Sequence, residues 1–556
     1  MTSNDLRLAR NTAVTILALV ALRLVAAAWT PLTFDEAYYW MWSKHLAGGY
    51  YDHPPMVAVV IRLGTMIAGD TEIGVRLVSI LLALPMSYAV YRTAEILFGG
   101  RKLAANATIL LNVTLMAAVG TLIGGDTEFG VRLVSILLAL PMSWAVYRSA
   151  AILFGGQRIA ATAAILLNVT MMASVGTIIV TPDAPLLVAA SFVMFFLAKV
   201  LETGRGAWWL AVGAAVGVAL LSKYTAMFFG LAILIWLVSV PKLRRWLLSP
   251  WPYLGGLVAL AIFAPVILWN ADHQWVSFIK QLGRARIEGF KPAFIAELIP
   301  SQIAFATPLV WLLGVMGLYA LFRRNSGALA ARVLISATFW TIAAYFTWHS
   351  LHARVEANWF APVYPAFAIA AAVAAHVVPW DPRGKRLADF CRRWAAPSGI
   401  VLFVALIVQA NTGILSGYRR DATVRSVGVG WRELAGEIEA VRARTGAACV
   451  LAPDYGTAGW LAFYLPKGTC VVQPTQRIRW INMPKPDPAQ LSGTLLYIDE
   501  LRARTSPYLD KTFSHIERIA ELPRKRGPLT IETYGLDLVD GARRDVLDNS
   551  PPPELE

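Results

Sequence analysis

The chain returns repeatedly to uninterrupted apolar runs of about twenty residues, the length an α-helix needs to cross a bilayer. YLGGLVALAIFAPVILW (residues 253–269) and LLVAASFVMFFLAKVL (186–201) are two of them. In hydrocarbon every backbone N–H and C=O must be satisfied within its own segment, so such runs form transmembrane helices. Composition agrees. Of 556 residues, 57% are hydrophobic and 15% charged, against about a quarter charged in a soluble domain. The first run, near 12–30, is too long for a secretory signal and lacks its small-residue cleavage site, so it reads as a span. The class is an α-helical polytopic membrane protein.

A net charge of +15 raises the question of a nucleic-acid partner, and its distribution answers it. The basic residues fall in short clusters between apolar runs: Arg7 and Arg10, Arg101 and Lys102, Arg158, Arg205, Lys242 with Arg244 and Arg245, Arg323 with Arg324, and Arg383 with Lys385 and Arg386. Assigned to the cytoplasm by the positive-inside rule, they fall on alternate connections and fix an orientation. The sequence predicts about thirteen spans, near 12–30, 76–98, 103–123, 131–154, 159–180, 184–201, 207–222, 225–240, 252–270, 300–322, 330–348, 360–378 and 396–414. The N-terminus is inside. Residues 54–69, apolar but interrupted by Arg62, are expected along the outer interface.

An odd span count places the chain after residue 415 outside. There GWRELAGEIEAVRART has helical period, while ACVLAP, TCVVQP and TLLYID read as short strands. This predicts a transmembrane domain over 1–415, a small external α/β domain over 416–540, and a disordered Pro-rich, acidic tail over 541–556. Cys449 and Cys470 both fall in the external domain, either as a disulfide or as two buried thiols; Cys391 stands alone on the inner side.

A tandem repeat is the second unusual feature. Residues 64–119 recur at 120–175 with differences at 13 of 56 positions, such as Ile73 against Phe129 and Tyr88 against Trp144. Each copy holds two spans, so the duplication leaves the downstream topology unchanged. The copies run parallel, unlike the inverted repeats of many transporters. An in-frame duplication without new function is sufficient to explain it.

Ionisable groups collect in the outer loops. The first loop holds Asp35, Glu36, His45, Asp52 and His53; later ones hold Asp183, Lys223 with Tyr224, Asp272 with His273, and His349, His352, Arg354, Glu356 and Asn358. Taken singly, most read as solvated loop residues, and nearby tryptophans as interfacial anchors. Together they put both charge signs on one face at the hydrocarbon edge. A carboxylate there has a raised pKa unless a cation offsets it, which suits a general base. Neighbouring cations would bind a phosphate. A lipid with an interfacial phosphate is the substrate class such a face fits; a transporter would instead keep its polar groups at the midplane.

The order FDEAYYW, YYDHPP, TPDAPL, LLSKYTA, LWNADHQW and R-x-E-x-N-W resembles bacterial membrane glycosyltransferases of the GT-C type. The resemblance covers residues 10–415. It is to the Rgt-like galacturonosyltransferases of rhizobia, related to protein O-mannosyltransferases and lipid A aminoarabinose transferases. It implies a polyprenyl-phosphate sugar donor, a lipid A, lipopolysaccharide or other envelope acceptor, inversion at the anomeric carbon, and an active face on the periplasmic side of the inner membrane. It implies Asp35 as the acceptor-activating base, Glu36 as second candidate, and Asp183 as a partner that positions the acceptor or tunes Asp35. Aminoarabinose transferases carry an acidic-Lys-Pro-Pro sequence where this chain has Asp52-His53-Pro54-Pro55. The substitutes for that lysine, in ascending order, are His53, Lys223 and Arg354, with Asp52, Tyr224, His352, Glu356 and Asn358 as further binding candidates. No cofactor is assigned. A divalent metal stays open, since the carboxylates and histidines have ligating chemistry but no H-x-x-x-H spacing. In the family the two-span unit occurs once. One copy is therefore expected to pack peripherally so that Asp35 and Asp183 can meet; an inactive relative disrupted by the duplication and a lipid or sugar flippase are the alternatives.

Overall fold

The computed structural model describes residues 3–66, 132, 135–284, 289–323, 327–414, 421–501 and 506–547. The expected spans near 76–98 and 103–123, and with them nearly all of the first repeat copy, lie outside the described residues; of the tail expected over 541–556, residues 541–547 are described, with Val546 buried against the sheet, and the rest lies outside. The chain forms two compact units. The first comprises Met1–Ala27, His53–Asp272 and Ala285–Val404; the second comprises Ala28–Asp52, His273–Arg284 and Ala405–Glu556.

The first unit is helical. Among the described residues of the chain, seven helices are long and apolar enough to cross a bilayer, or up to nine if each of two bent pairs forms one span. Leu257, Leu260, Leu268 and Val401 are exposed on them, and lipid tails are as apolar as leucine. Small residues let the helices approach. Trp208–Ser222 meets Pro250–Asp272 at Gly213, where a Cβ would lie 2.0 Å from the Gly255 carbonyl oxygen.

Several expected spans are not straight. The run at 300–322 is broken into Ala293–Ala306 and Pro308–Phe322, inclined at 103°. Pro308 lacks an N–H and disfavours helical geometry in the residue before it; Thr307 accordingly takes a positive φ of 65°. The run at 225–240 opens as a 3-10 turn and bends by 119° into Pro241–Leu248. The run at 159–180 is helical over Gln157–Asn168 and then only over Met171–Ser174, capped by Thr170. The last span begins earlier than expected, at Pro382, and continues to Thr412 with Arg383, Lys385 and Arg386 at its start. The segment expected along the interface forms a helix, Met56–Met66, and buries Val57, Ala58, Val60 and Ile61 within protein.

The second repeat copy is built into the core of the first unit. Its helix Ala139–Phe154 packs against Gln157–Asn168 and Asp183–Thr203. From the first span, the buried Arg23 guanidinium donates to the Asn168 carbonyl at 2.7 Å, and Arg132 donates to the Ala27 carbonyl at 3.1 Å. Other ties use side chains peculiar to this copy. Trp144 lies edge-on to Phe195 with centroids 4.7 Å apart, and Thr162 meets His376 at 2.7 Å; the first copy has Tyr88 and Asn106 instead.

The second unit contains a five-stranded sheet in the order β2-β1-β3-β5-β4, with β1 Cys449–Leu451, β2 Cys470–Val472, β3 Leu495–Glu500, β4 Phe513–Arg526 and β5 Leu529–Ala542. Strand β1 runs parallel to β2 and β3, and β5 runs antiparallel to β3 and β4. The helix Trp431–Thr445 buries Trp431, Leu434, Ala435, Ile438 and Val441, as its period predicts, and ends at Gly446. Cys449 and Cys470 are direct register partners and form a disulfide; Cys391 is a buried free thiol. This unit is wider than the 416–540 domain expected, because the first loop and residues 273–284 belong to it.

Because the second copy carries these ties, deleting residues 64–119 is expected to leave a folded protein. Its melting temperature should move by no more than about 4 °C, the size of a 1 kcal/mol change. Loss of cooperative unfolding in the deletion variant would show that the second copy is not sufficient.

Candidate active site

The first-loop helix, Phe34–Lys44, starts where its sequence directs. Thr33 is the N-cap and Glu36 the third helical residue, and together they close a capping box. The Glu36 N–H donates to Thr33 Oγ1 at 3.3 Å, and the Thr33 N–H donates to Glu36 Oε2 at 2.9 Å. Glu36 is fully buried. Its carboxylate caps the helix end.

Asp35 has a different environment. Its Oδ1 accepts from the Tyr455 hydroxyl at 3.2 Å. Burial pushes its pKa up to about 6; the Tyr455 hydrogen bond opposes the rise, the charges on Asp52 and Glu36 add to it, and Arg479 opposes it. Tyr455 opens the helix Tyr455–Tyr464, whose N-cap Asp454 accepts from the N–H groups of Gly456 and Thr457. Gly459 lets this helix rest directly on the first-loop helix, since a Cβ there would lie 2.8 Å from the Tyr38 nitrogen.

Asp52 closes the first loop and gathers donors from three places. Its Oδ1 accepts from Lys280 Nζ and from Arg479 Nη1, each at 2.6 Å, and its Oδ2 accepts from the Tyr38 hydroxyl at 2.8 Å. Lys280 lies on the helix Val276–Arg284, and Gln281 beside it donates to the Asp52 carbonyl at 3.1 Å. Arg479 comes from the 3-10 turn Arg477–Trp480. Both cations also stand over the Tyr51 ring, at 4.2 and 5.7 Å from its centroid. Lysine and arginine are both residue types from which a phosphate takes charge-assisted hydrogen bonds.

In the first unit, Asp183 begins the helix Asp183–Thr203. Its Oδ1 accepts from Lys223 Nζ at 2.7 Å and its Oδ2 from Asn358 Nδ2 at 2.8 Å, all but closed off from solvent. Both oxygens are engaged. Tyr224 follows Lys223 in a 3-10 turn, edge-on to Phe263. Arg354 pairs with Glu297 at 3.2 Å, with side chains 67% and 57% exposed. Glu356 is exposed, His352 places Nδ1 3.1 Å from the Trp348 carbonyl, and His53 is half-buried.

The expected residues thus fall into two groups: Asp35, Glu36 and Asp52 in the second unit, and Asp183, Lys223 and Asn358 in the first. Sequence reasoning missed Lys280, Tyr455 and Arg479. Tyr455 and Arg479 come from the C-terminal part of the second unit. The only local signal was Asp454-Tyr455-Gly456-Thr457, which reads as a helix start. Among the described residues no three His, Cys, Asp or Glu side chains come together as a metal site requires.

These features define a multi-pass membrane protein with the GT-C type fold. The full-length likeness is to ArnT from Cupriavidus metallidurans bound to undecaprenyl phosphate: TM-score 0.56 and 18% identity, covering 97% of this chain and 99% of that one. The apo form of that protein matches equally, at TM-score 0.56 over 95% of this chain. The family model for dolichyl-phosphate-mannose-protein mannosyltransferases matches residues 52–123 and 113–269. Lipid A galacturonosyltransferase RgtD of Rhizobium johnstonii is 40% identical over 67 residues, which make up 12% of this chain and 14% of that protein.

Two ion pairs of the first unit, Asp183–Lys223 and Arg354–Glu297, should respond differently to loss of one partner. Lys223→Met strands a buried carboxylate and is expected to lower stability by about 3–5 kcal/mol. Arg354→Gln, in a solvent-screened pair, should change it by less than about 1 kcal/mol. Thermal unfolding of the purified variants checks this; equal effects would remove the structural role assigned to Asp183–Lys223.

Proposed function

We propose that the chain is a glycosyltransferase that moves a hexose or uronic acid from a polyprenyl-phosphate donor to lipid A, lipopolysaccharide or another envelope glycan or lipid. It acts at the periplasmic face of the inner membrane. The observation that carries this reading is the pairing, within one unit, of a half-buried carboxyl whose pKa is raised to about 6 with the Lys280–Asp52–Arg479 cluster.

In this reading ionised Asp35 takes the proton of an acceptor hydroxyl as that oxygen attacks the anomeric carbon. The new C–O bond forms on the face opposite the phosphate. The bond from the anomeric carbon to the phosphate oxygen breaks, and its electron pair leaves with the phosphate. Lys280 and Arg479 take up that charge, so the departing group is stabilised as it forms. Asp52 is their counter-ion before the donor binds, and it holds both cations ready. Tyr455 orients the Asp35 carboxylate. Glu36 fixes the helix on which Asp35 stands, and Asp183 holds Lys223 and Asn358 in the first unit. An acceptor that is itself a phosphate is already ionised and needs the cations but not the base.

The test is transfer of radiolabelled sugar from a polyprenyl-phosphate donor by the purified protein. Asp35→Asn should slow transfer to a hydroxyl acceptor by about 10²–10⁴-fold, with donor binding retained. Lys280→Gln and Arg479→Gln should weaken donor binding. Undiminished transfer by Asp35→Asn would reject Asp35 as the base.

A further inference from the structure

The helix that presents Asp35 has a second end. Lys44 closes it, about 14 Å further along the axis, and there the second unit holds a cleft of about 280 Å³. Neither Asp35 nor Asp52 lines this cleft. Its walls include Trp40, Lys44, His45, Gln473, Arg477 and Trp480, and the lining contains no carboxylate. Lys44 Nζ stands 5.0 Å from the centroid of the Trp40 ring. Trp480 donates its Nε1–H to Gln473 Oε1 at 2.9 Å, which leaves the ring itself as an apolar wall.

Arg477 is the unusual member. Its Nη1 donates to the Gln473 carbonyl at 2.9 Å, and among the described residues no carboxylate pairs with it. Burial lowers its pKa, with no compensating anion. A half-buried guanidinium in that position costs desolvation free energy that its hydrogen bond to the Gln473 carbonyl offsets only in part. An anion in the cleft would offset it. Arg supplies a planar fork for a phosphate or carboxylate, Lys44 a second charge, and the tryptophan faces suit the apolar face of a sugar ring.

We propose that this cleft is a second acceptor subsite, binding an anionic sugar through its phosphate or carboxylate while another part of the same acceptor reaches Asp35. The subsite rests on the glycosyltransferase reading for its role, but its ligand chemistry follows from the cleft alone. It makes the enzyme selective for acceptors that carry negative charge roughly one helix length from the reacting oxygen.

The experiment measures calorimetric binding of glucose 1-phosphate, glucuronate and glucose to the detergent-solubilised full chain, without donor. The first two should bind and glucose should not; whichever anion binds more tightly identifies the headgroup. Arg477→Gln should weaken binding about tenfold, as should Lys44→Gln, while Asp35→Asn leaves it unchanged. Equal binding of glucose, or unaltered affinity in both cleft variants, would overturn the subsite. Because no turnover is measured, the outcome is separate from that of the transfer reading: anion binding lost in Arg477→Gln, in a protein that transfers no sugar, would keep the subsite and reject the glycosyltransferase. A variant that unfolds is recognised by its melting curve, and the other cleft variant then decides.

Discussion

One carboxylate joins the three chain segments of the second unit. Asp52 ends the first; Lys280 comes from the second and Arg479 from the third, and both meet the same Asp52 oxygen. Removing a carboxylate from water is costly unless its lone pairs find donors, and Tyr38 supplies the donor for the remaining oxygen. The arrangement fixes more than itself. Tyr38 lies on the first-loop helix, so the hydrogen bond that satisfies Asp52 also sets the orientation of the helix that carries Asp35.

Two carboxylates of the second unit, Asp52 and Asp35, have different surroundings. Asp52 is surrounded by cations and a hydroxyl. Asp35 has the Tyr455 hydroxyl and a more distant Arg479, and its proton affinity rises. In the proposed reading these environments separate the roles of like groups: one carboxylate holds cations in place and the other takes the acceptor's proton. Glu36, adjacent in sequence to Asp35, closes the capping box with Thr33. The two neighbouring acids differ in surroundings: one caps the helix and the other accepts from Tyr455.

Much of the fold was legible because membrane helices and short strands leave periodic signals in contiguous sequence. The runs at 184–201, 252–270 and 330–348 correspond to Asp183–Thr203, Pro250–Asp272 and Leu329–His349. TLLYID and the helix before ACVLAP also formed as read. Breaks were less legible, since Thr307 departs from helical geometry for a local steric reason that hydropathy does not register. The capping box was present in Thr33-Phe34-Asp35-Glu36, though its meaning for Glu36 emerged only with the structure. The partners of Asp35 and Asp52 were not legible at all. Tyr455, Arg479 and Lys280 belong to segments hundreds of positions away, and no spacing links them to the first loop. Motif order brought forward Arg354, which lies in an exposed pair; burial and charge single out Lys280.

The most direct test of the central claim is the pH dependence of sugar transfer to a hydroxyl acceptor. A base with a pKa raised to about 6 is protonated below that value, so the rate should climb as pH rises through it and level off above. The Tyr455 hydrogen bond favours ionised Asp35, and Tyr455→Phe should therefore move the acid limb to higher pH without changing its slope. A limb near the ordinary carboxylate range, unmoved by Tyr455→Phe, would contradict the assignment of Asp35 as the base.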